Sequence, residues 1–298
     1  MNNLVAIIVT FNPDTEVLNA LLKALESQVA YIVVVDNGSP AETINIIRRT
    51  MSVNSTLIQK GYNSGISEAI NTGILEVRKL GASHVVFFDQ DSFPAQNMIG
   101  ELFAAITQGN AEGLNVAAVG PKYSDVKGDH ASPFVKFDGG RLKRVECTDT
   151  EVVSVDHLTT SGCLISMDAL DYVGNMEEKL FIDYVDTEWC LRATHKRYSL
   201  LGVGAAKMQH DLGDEFVNFF GRTIPVHSAL RNYYLIRNGV WMLSHPLVPR
   251  AWKVMDVIRL LKIYIVLSLF VGTRFSNWKM MTKGIWHAIS GQMGKYSD

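Results

Sequence analysis

Two carboxylates one residue apart, Asp89 and Asp91, stand directly behind the apolar run His84-Val85-Val86-Phe87-Phe88. Such a run of β-branched and aromatic residues predicts a buried strand of a parallel sheet. The C-terminal edge of such a sheet is where α/β proteins bind ligands. Oxygen ligands there suit Mg²⁺ or Mn²⁺, ions that usually accompany phosphates. Asp89-Gln90-Asp91 therefore proposes a metal–diphosphate site. A second acidic group, Asp183, Asp186 and Glu188, precedes a helical stretch ending near Ala193.

The elements that must hold these residues follow from periodicity. Leu4–Thr10, Tyr31–Val35, a short 55–58 and 84–88 read as strands. Helices are expected from Asp14 or Thr15 to about Ser27, over Thr43–Thr50, over about Ile66–Lys79 and near 95–109. This alternation implies a Rossmann-like, mostly parallel sheet with right-handed crossovers. A strand at 115–119, a polar Gly-rich region at 122–150, strands near 152–155 and 162–166, and a helix from Met167 come next. Each conspicuous polar cluster of the first half falls just after a strand: Thr10-Phe11-Asn12, Asp36-Asn37-Gly38-Ser39 and Asp89-Gln90-Asp91. Any one alone reads as a turn. Three at one sheet edge are better explained by a shared ligand.

With these motifs in order, the chain resembles the family 2 glycosyltransferases of the GT-A fold, and more narrowly their bacterial rhamnosyltransferase branch. The likeness covers roughly residues 4–240. It rests on Val9-Thr10-Phe11-Asn12, Val35-Asp36-Asn37-Gly38-Ser39, Asn63-Ser64-Gly65-Ile66 with Asn71 and Gly73, and Asp89-Gln90-Asp91-Ser92. It continues through Ser161-Gly162, Phe181–Trp189 with Arg192, and His210-Asp211-Leu212-Gly213-Asp214. The resemblance implies that Thr10, Phe11 and Asn12 border a nucleotide base and that Asp36 accepts from it. It also implies that Asn63 and Gly65 line the nucleotide, that Asp89 and Gln90 belong to the nucleotide-sugar site, and that Asp91 and His210 ligate the metal. Asp186 is then the catalytic base. Val185 replaces the usual glutamate before it, which leaves Asp183 and Glu188 as alternatives. Ser161, Gly162, Glu188 and Trp189 are expected around the acceptor, and Arg237 or Arg231 near the diphosphate.

The implied reaction is inverting transfer of a sugar, L-rhamnose from dTDP-β-L-rhamnose, to a lipid-linked or polysaccharide acceptor of the O-antigen or cell-wall type. A UDP-hexose donor is the alternative. A haloacid-dehalogenase-type phosphatase would place Asp-x-Asp after its first strand, whereas three strands precede it here. A nucleotidyltransferase would need a basic Gly-rich loop after strand one, which Thr10–Asp14 lacks. A non-catalytic sugar- or lipid-binding relative would not need both Asp91 and Asp186.

Charge divides the chain. Residues 222–298 carry 11 Lys/Arg against Asp256 and Asp298, while residues 1–221 carry 17 bases against 28 acids. Four of the five tryptophans lie in the basic part. We read residues 1–221 as the catalytic domain, with a nucleotide-sugar half to about 120 and an acceptor half over about 121–221. Residues 222–298 form a helical extension. Basic charge interleaved with tryptophan suits an anionic membrane surface rather than nucleic acid. In the expected helix Ala251–Gly272 the uncharged run Ile263–Thr273 is only about 16 Å long, too short to span a bilayer. Peripheral attachment to the inner face of the cytoplasmic membrane is expected, with a homodimer interface as the other use of these helices. Three scattered cysteines and the absence of a basic, apolar leader imply a reduced, cytoplasmic setting.

Overall fold

The computed structural model describes residues 3–125, 131–138, 141–210, 215–219, 222–271 and 273–297. Strand β1 (Leu4–Thr10) is buried along its whole length, because helices cover both of its faces. Val5, Ile7 and Val9 point into one core and Leu4, Ala6 and Ile8 into the other, the two-residue period of a strand. Helix α1 (Thr15–Glu26) starts where the Asp14 carboxylate accepts from the Glu16 and Val17 amides, and it buries Leu18, Leu21, Leu22 and Leu25. It leads to β2 (Tyr31–Asp36), α2 (Ala41–Thr50), β3 (Ser55–Gln59), α3 (Ile66–Lys79) and β4 (His84–Asp89). The four strands pair in parallel in the order β4-β1-β2-β3.

Beyond β4 the sheet is mixed. The chain continues through β5 (Ser92–Pro94), α4 (Met98–Ala111), β6 (Val116–Asp125), β7 (Ala131–Ser132), β8 (Phe134–Asp138), β9 (Arg141–Val145) and β10 (Val152–Val155). Next come β11 (Leu164–Ser166), α5 (Met167–Val173), α6 (Val185–His195) and β12 (Ser199–His210). Short β11 slots antiparallel between β4 and β6, and β12 pairs parallel with β6. The mostly parallel α/β sheet flanked by helices is as expected. The polar stretch 122–150 holds the end of β6, β7 and the hairpin β8–β9. A second hairpin, β13 (Glu215–Phe219) with β14 (Arg222–Val226), precedes the helices.

The C-terminal helices are α7 (Ala229–Ser244), α8 (Arg250–Leu269) and α9 (Arg274–Ser290). Ile236, Leu260, Leu267 and Met281 form their shared core. Asn232 donates to the Asn277 amide oxygen at 3.1 Å, and the Tyr233 hydroxyl meets His287 Nδ1 at 2.7 Å. Among the described residues no helix is long and apolar enough to cross a membrane.

Candidate active site

Strand register builds the site's first half. Thr10 pairs with Asp36 and Val9 with Asp89, so the three polar clusters share one sheet edge. Gln90 joins two of them: its side chain accepts from the Phe11 amide at 2.8 Å and donates to the Phe11 carbonyl at 3.3 Å. The Phe11 ring is left 43% exposed at this edge. Asn12 takes a left-handed φ of 47° and donates its amide to the Ser39 hydroxyl at 2.8 Å.

Asp36 is buried, and its carboxylate accepts from Thr10 Oγ1, the Gly38 and Ser39 amides, and Ser39 Oγ at 2.5–3.1 Å. These four donors occupy the positions a carboxylate offers. Any further donor would have to displace one of them, and the rotatable Ser39 hydroxyl is the simplest to move. Asn37 ties the next loop in place, accepting from Ser64 and donating to Asn63 and to the Gly65 carbonyl. Gly65 has φ 90°, and a Cβ there would lie 2.6 Å from the Phe181 ring. Only glycine allows this turn to close on Phe181. The 63–65 loop thereby touches the loop that carries the second acidic group.

Asp89 and Asp91 are both half-buried at the end of β4. The Asp89 amide donates to Ser161 Oγ at 3.1 Å, and Ser161 Oγ meets Ser92 Oγ at 2.8 Å. Ser161 is thus a buried brace beneath the aspartates, and Gly162 donates its amide to the Phe87 carbonyl. The backbone of His210 pairs with Ser92, one residue from Asp91, while its side chain lies outside the described residues, as do Asp211–Asp214. Among the described residues no three His, Cys, Asp or Glu side chains form a metal cluster. Two adjacent carboxylates still fit a hard divalent cation whose remaining ligands come from a diphosphate and water.

The second half is built on a strained loop. Phe181, Asp183 and Tyr184 have φ of 65°, 62° and 65° just before α6 begins. Asp186 lies in the first turn of α6, where the helix dipole favours a carboxylate. Its Oδ2 lies 3.6 Å from His157 Nε2, and its Oδ1 accepts from the Thr187 amide at 2.7 Å. Burial alone would raise the Asp186 carboxyl, but His157 and the Thr187 bonds outweigh it and hold the group below its ordinary value. Burial works against protonated His157, and Asp186 reverses that, raising the imidazole. His157 is a site residue that sequence reasoning missed, because a lone histidine far from its partner in sequence leaves no spacing signal.

His157, Asp183 and Thr187 line a cavity of about 720 Å³ closed by Phe137, Leu142, Trp252 and Arg259. Asp183 Oδ2 is buried with no hydrogen-bond partner among the described residues. Burial raises the Asp183 carboxyl despite Arg231, 3.5 Å away. The Tyr123 hydroxyl donates to the Ser161 carbonyl at 2.5 Å. Burial first, then Cys163, Asp89 and Asp186, push its pKa up, so both acidic centres act on one phenol.

Three expected site residues lie elsewhere. Arg237 is wholly buried, its guanidinium donating to the Asn238 side chain, to the Tyr233 hydroxyl and to the carbonyls of Lys179, Leu180 and Gly294. That placement leaves it no N–H for a diphosphate and makes it a clamp on the strained loop. Glu188 is buried and holds Arg192 at 2.6 Å. Trp189 is buried too, donating Nε1–H to the Gly174 carbonyl. Neither is placed to face a sugar.

Residues 5–174 match the model of Glycosyl transferase family 2. The chain is 34% identical over 295 residues to the dTDP-rhamnosyl transferase RfbF of Shigella flexneri, covering 98% of this chain and 96% of that one. Among solved structures it resembles S. aureus TarS 1–349 in complex with UDP-GlcNAc, with TM-score 0.56 and 16% identity over 96% of this chain and 81% of that one. It resembles GalNAc-T7 with UDP, GalNAc and Mn²⁺ at TM-score 0.59 and 14% identity, over 97% of this chain and 56% of that one. It spans 46% of a longer TarS chain. At such identities the likeness is one of fold, and the fold is the GT-A fold expected.

Proposed function

We propose, because this chain belongs to glycosyl transferase family 2, that it transfers L-rhamnose from dTDP-β-L-rhamnose to a hydroxyl of a lipid-linked glycan. Support for the donor comes from the near full-length likeness to RfbF. The observation that carries the chemistry is a pair of acidic centres: Asp89 and Asp91 at the end of β4, tied to Ser161, and Asp186 held 3.6 Å from His157 at the cavity. One centre suits a diphosphate and the other suits removal of a proton. The phosphatase reading gives way to the family.

In the reaction, the Phe11 ring and the Asp36 loop hold the base. Asp186 takes the proton of the acceptor hydroxyl as its oxygen bonds to the anomeric carbon. The bond from that carbon to the diphosphate breaks, and dTDP leaves with the electron pair. A single displacement inverts the centre, so a β-L donor yields an α-L-rhamnosyl product. Asp91 with Asp89 would hold a Mg²⁺ or Mn²⁺ ion, which supplies neutralisation of charge on the leaving diphosphate. His157 keeps Asp186 ionised and oriented. Acceptor sugars enter the cavity beside His157, at the cytoplasmic face of the membrane.

A second reading makes Asp183 the base, because it lines the cavity with one oxygen unpartnered among the described residues. Asp186→Asn and Asp183→Asn separate the two. Purified protein with Mg²⁺ or Mn²⁺ is screened against dTDP-rhamnose, UDP-glucose, UDP-galactose and GDP-mannose. Turnover of dTDP-rhamnose alone, lost by at least about 100-fold in Asp186→Asn and retained in Asp183→Asn, is expected. The converse loss transfers the role to Asp183. Preference for another donor discards rhamnose, and net retention at the anomeric carbon discards the displacement.

A further inference from the structure

Helix α8 has two unlike faces. Trp252, Asp256, Leu260 and Leu267 are buried toward the protein. Val254, Ile258, Leu261, Ile265 and Leu269 recur every three or four residues on the outer face, each between 49% and 62% exposed. On α9, Phe275 is 73%, Trp278 46% and Trp286 64% exposed. Large contiguous apolar faces mark interaction sites, since soluble surfaces rarely carry them without use.

Charge decides what covers this face. Arg250, Lys262, Arg274 and Lys279 are exposed on the same two helices. The helices carry a single carboxylate, Asp256, which is 5% exposed and held by Arg259 at 2.7 Å. A second copy would bring two basic faces together with no acid to answer them. A nucleic acid would use the charge but leave the aliphatic stripe in water. An anionic bilayer uses both: aliphatic side chains enter the acyl boundary, the indoles sit at headgroup depth, and Lys/Arg snorkel to phosphate.

We propose that the outer face of α8, with Phe275, Trp278 and Trp286 of α9, is a docking surface for an anionic lipid bilayer. The same helix lines the cavity beside His157 through Trp252, Met255 and Arg259. Docking therefore sets the cavity at the lipid surface, where a lipid-linked acceptor would reach it; this consequence rests on the reaction proposed above, whereas the docking does not.

The test is flotation of the full chain with phosphatidylcholine vesicles, with and without one-third phosphatidylglycerol. The wild type is expected to float with the anionic vesicles. Ile258→Glu/Leu261→Glu/Ile265→Glu should lower the bound fraction at least about tenfold with its melting temperature kept. Lys262→Gln and Lys279→Gln should each weaken binding by about fivefold, the effect of roughly 1 kcal/mol per basic residue near such a surface. A wild type that stays at the bottom, or a triple variant that floats equally, overturns the proposal. So does a wild-type dimer that the triple variant splits while flotation is unchanged. Turnover of a water-soluble acceptor is read on the same preparations. Its absence with flotation intact overturns the reaction and leaves the docking standing.

Discussion

At the residue scale, the pair of Asp186 and His157 carries a pH signature. Asp186 has its carboxyl lowered in the folded protein, and His157 has its imidazole raised. A lowered carboxyl contributes stability above its unfolded pKa of about 4 and loses it as pH falls through the folded value. A raised imidazole contributes below its unfolded pKa of about 6.5 and loses it as pH rises through the folded value. The pair therefore stabilises the fold most between about pH 4 and 6.5. His157→Ala removes the cation that holds Asp186 down, so the acidic limb of the kcat/KM profile should move to higher pH. A pH–rate profile with an unchanged acidic limb would remove His157 from this role. Asp186 was reached through the family likeness of Phe181–Trp189, since a carboxylate at a helix start alone reads as a dipole partner. His157 was not, because only the tertiary fold brings it within 3.6 Å of Asp186.

At the element scale, the strands and helices up to β4 were readable because each buries a periodic apolar set. The hairpin β8–β9 was not, because its runs are short and interrupted by charge, nor was the long β12, whose partner β6 lies far along the chain and whose pairing is broken. The breaks are register shifts at Ser199/Leu200 and Val203/Lys207. The loop before α6 could not be read either, because non-glycine residues rarely take positive φ. Three such residues persist there only because neighbours hold them. Helix α7 supplies the main hold. The Asn238 amide donates to the carbonyls of Leu180, Ile182 and Asp183 at 2.9, 2.6 and 3.1 Å. Asn238→Ala leaves these carbonyls without that donor, at a cost of about 1–3 kcal/mol. Thermal melting should fall by several degrees, and kcat should fall further than the donor KM rises. An unchanged kcat would show that the loop holds Asp186 without α7.

At the scale of the whole molecule, the boundary near residue 221 follows charge but not contact. The sequence shows a basic, tryptophan-rich tail, and composition alone makes that tail an appendage. The structure makes it part of the catalytic frame. Phe181 stacks on Tyr234 with centroids 4.9 Å apart. Arg237 and Asn238 cap the carbonyls on either side of Phe181. The Tyr184 hydroxyl donates to Asp256 at 2.7 Å, and Arg259 binds both. Tyr184 sits two residues before Asp186, so α8 reaches Asp186 through one phenol. A chain ending at Ser244 loses Asp256, Arg259 and the Gly294 carbonyl that receives Arg237. It should melt well below the full chain and turn over no donor even on a water-soluble acceptor, with no lipid present. The stripe variants of α8, which alter only its outer face, should keep that turnover. Equal turnover by the truncated chain would show that the tail serves the membrane alone and that the first 244 residues position Asp186 unaided.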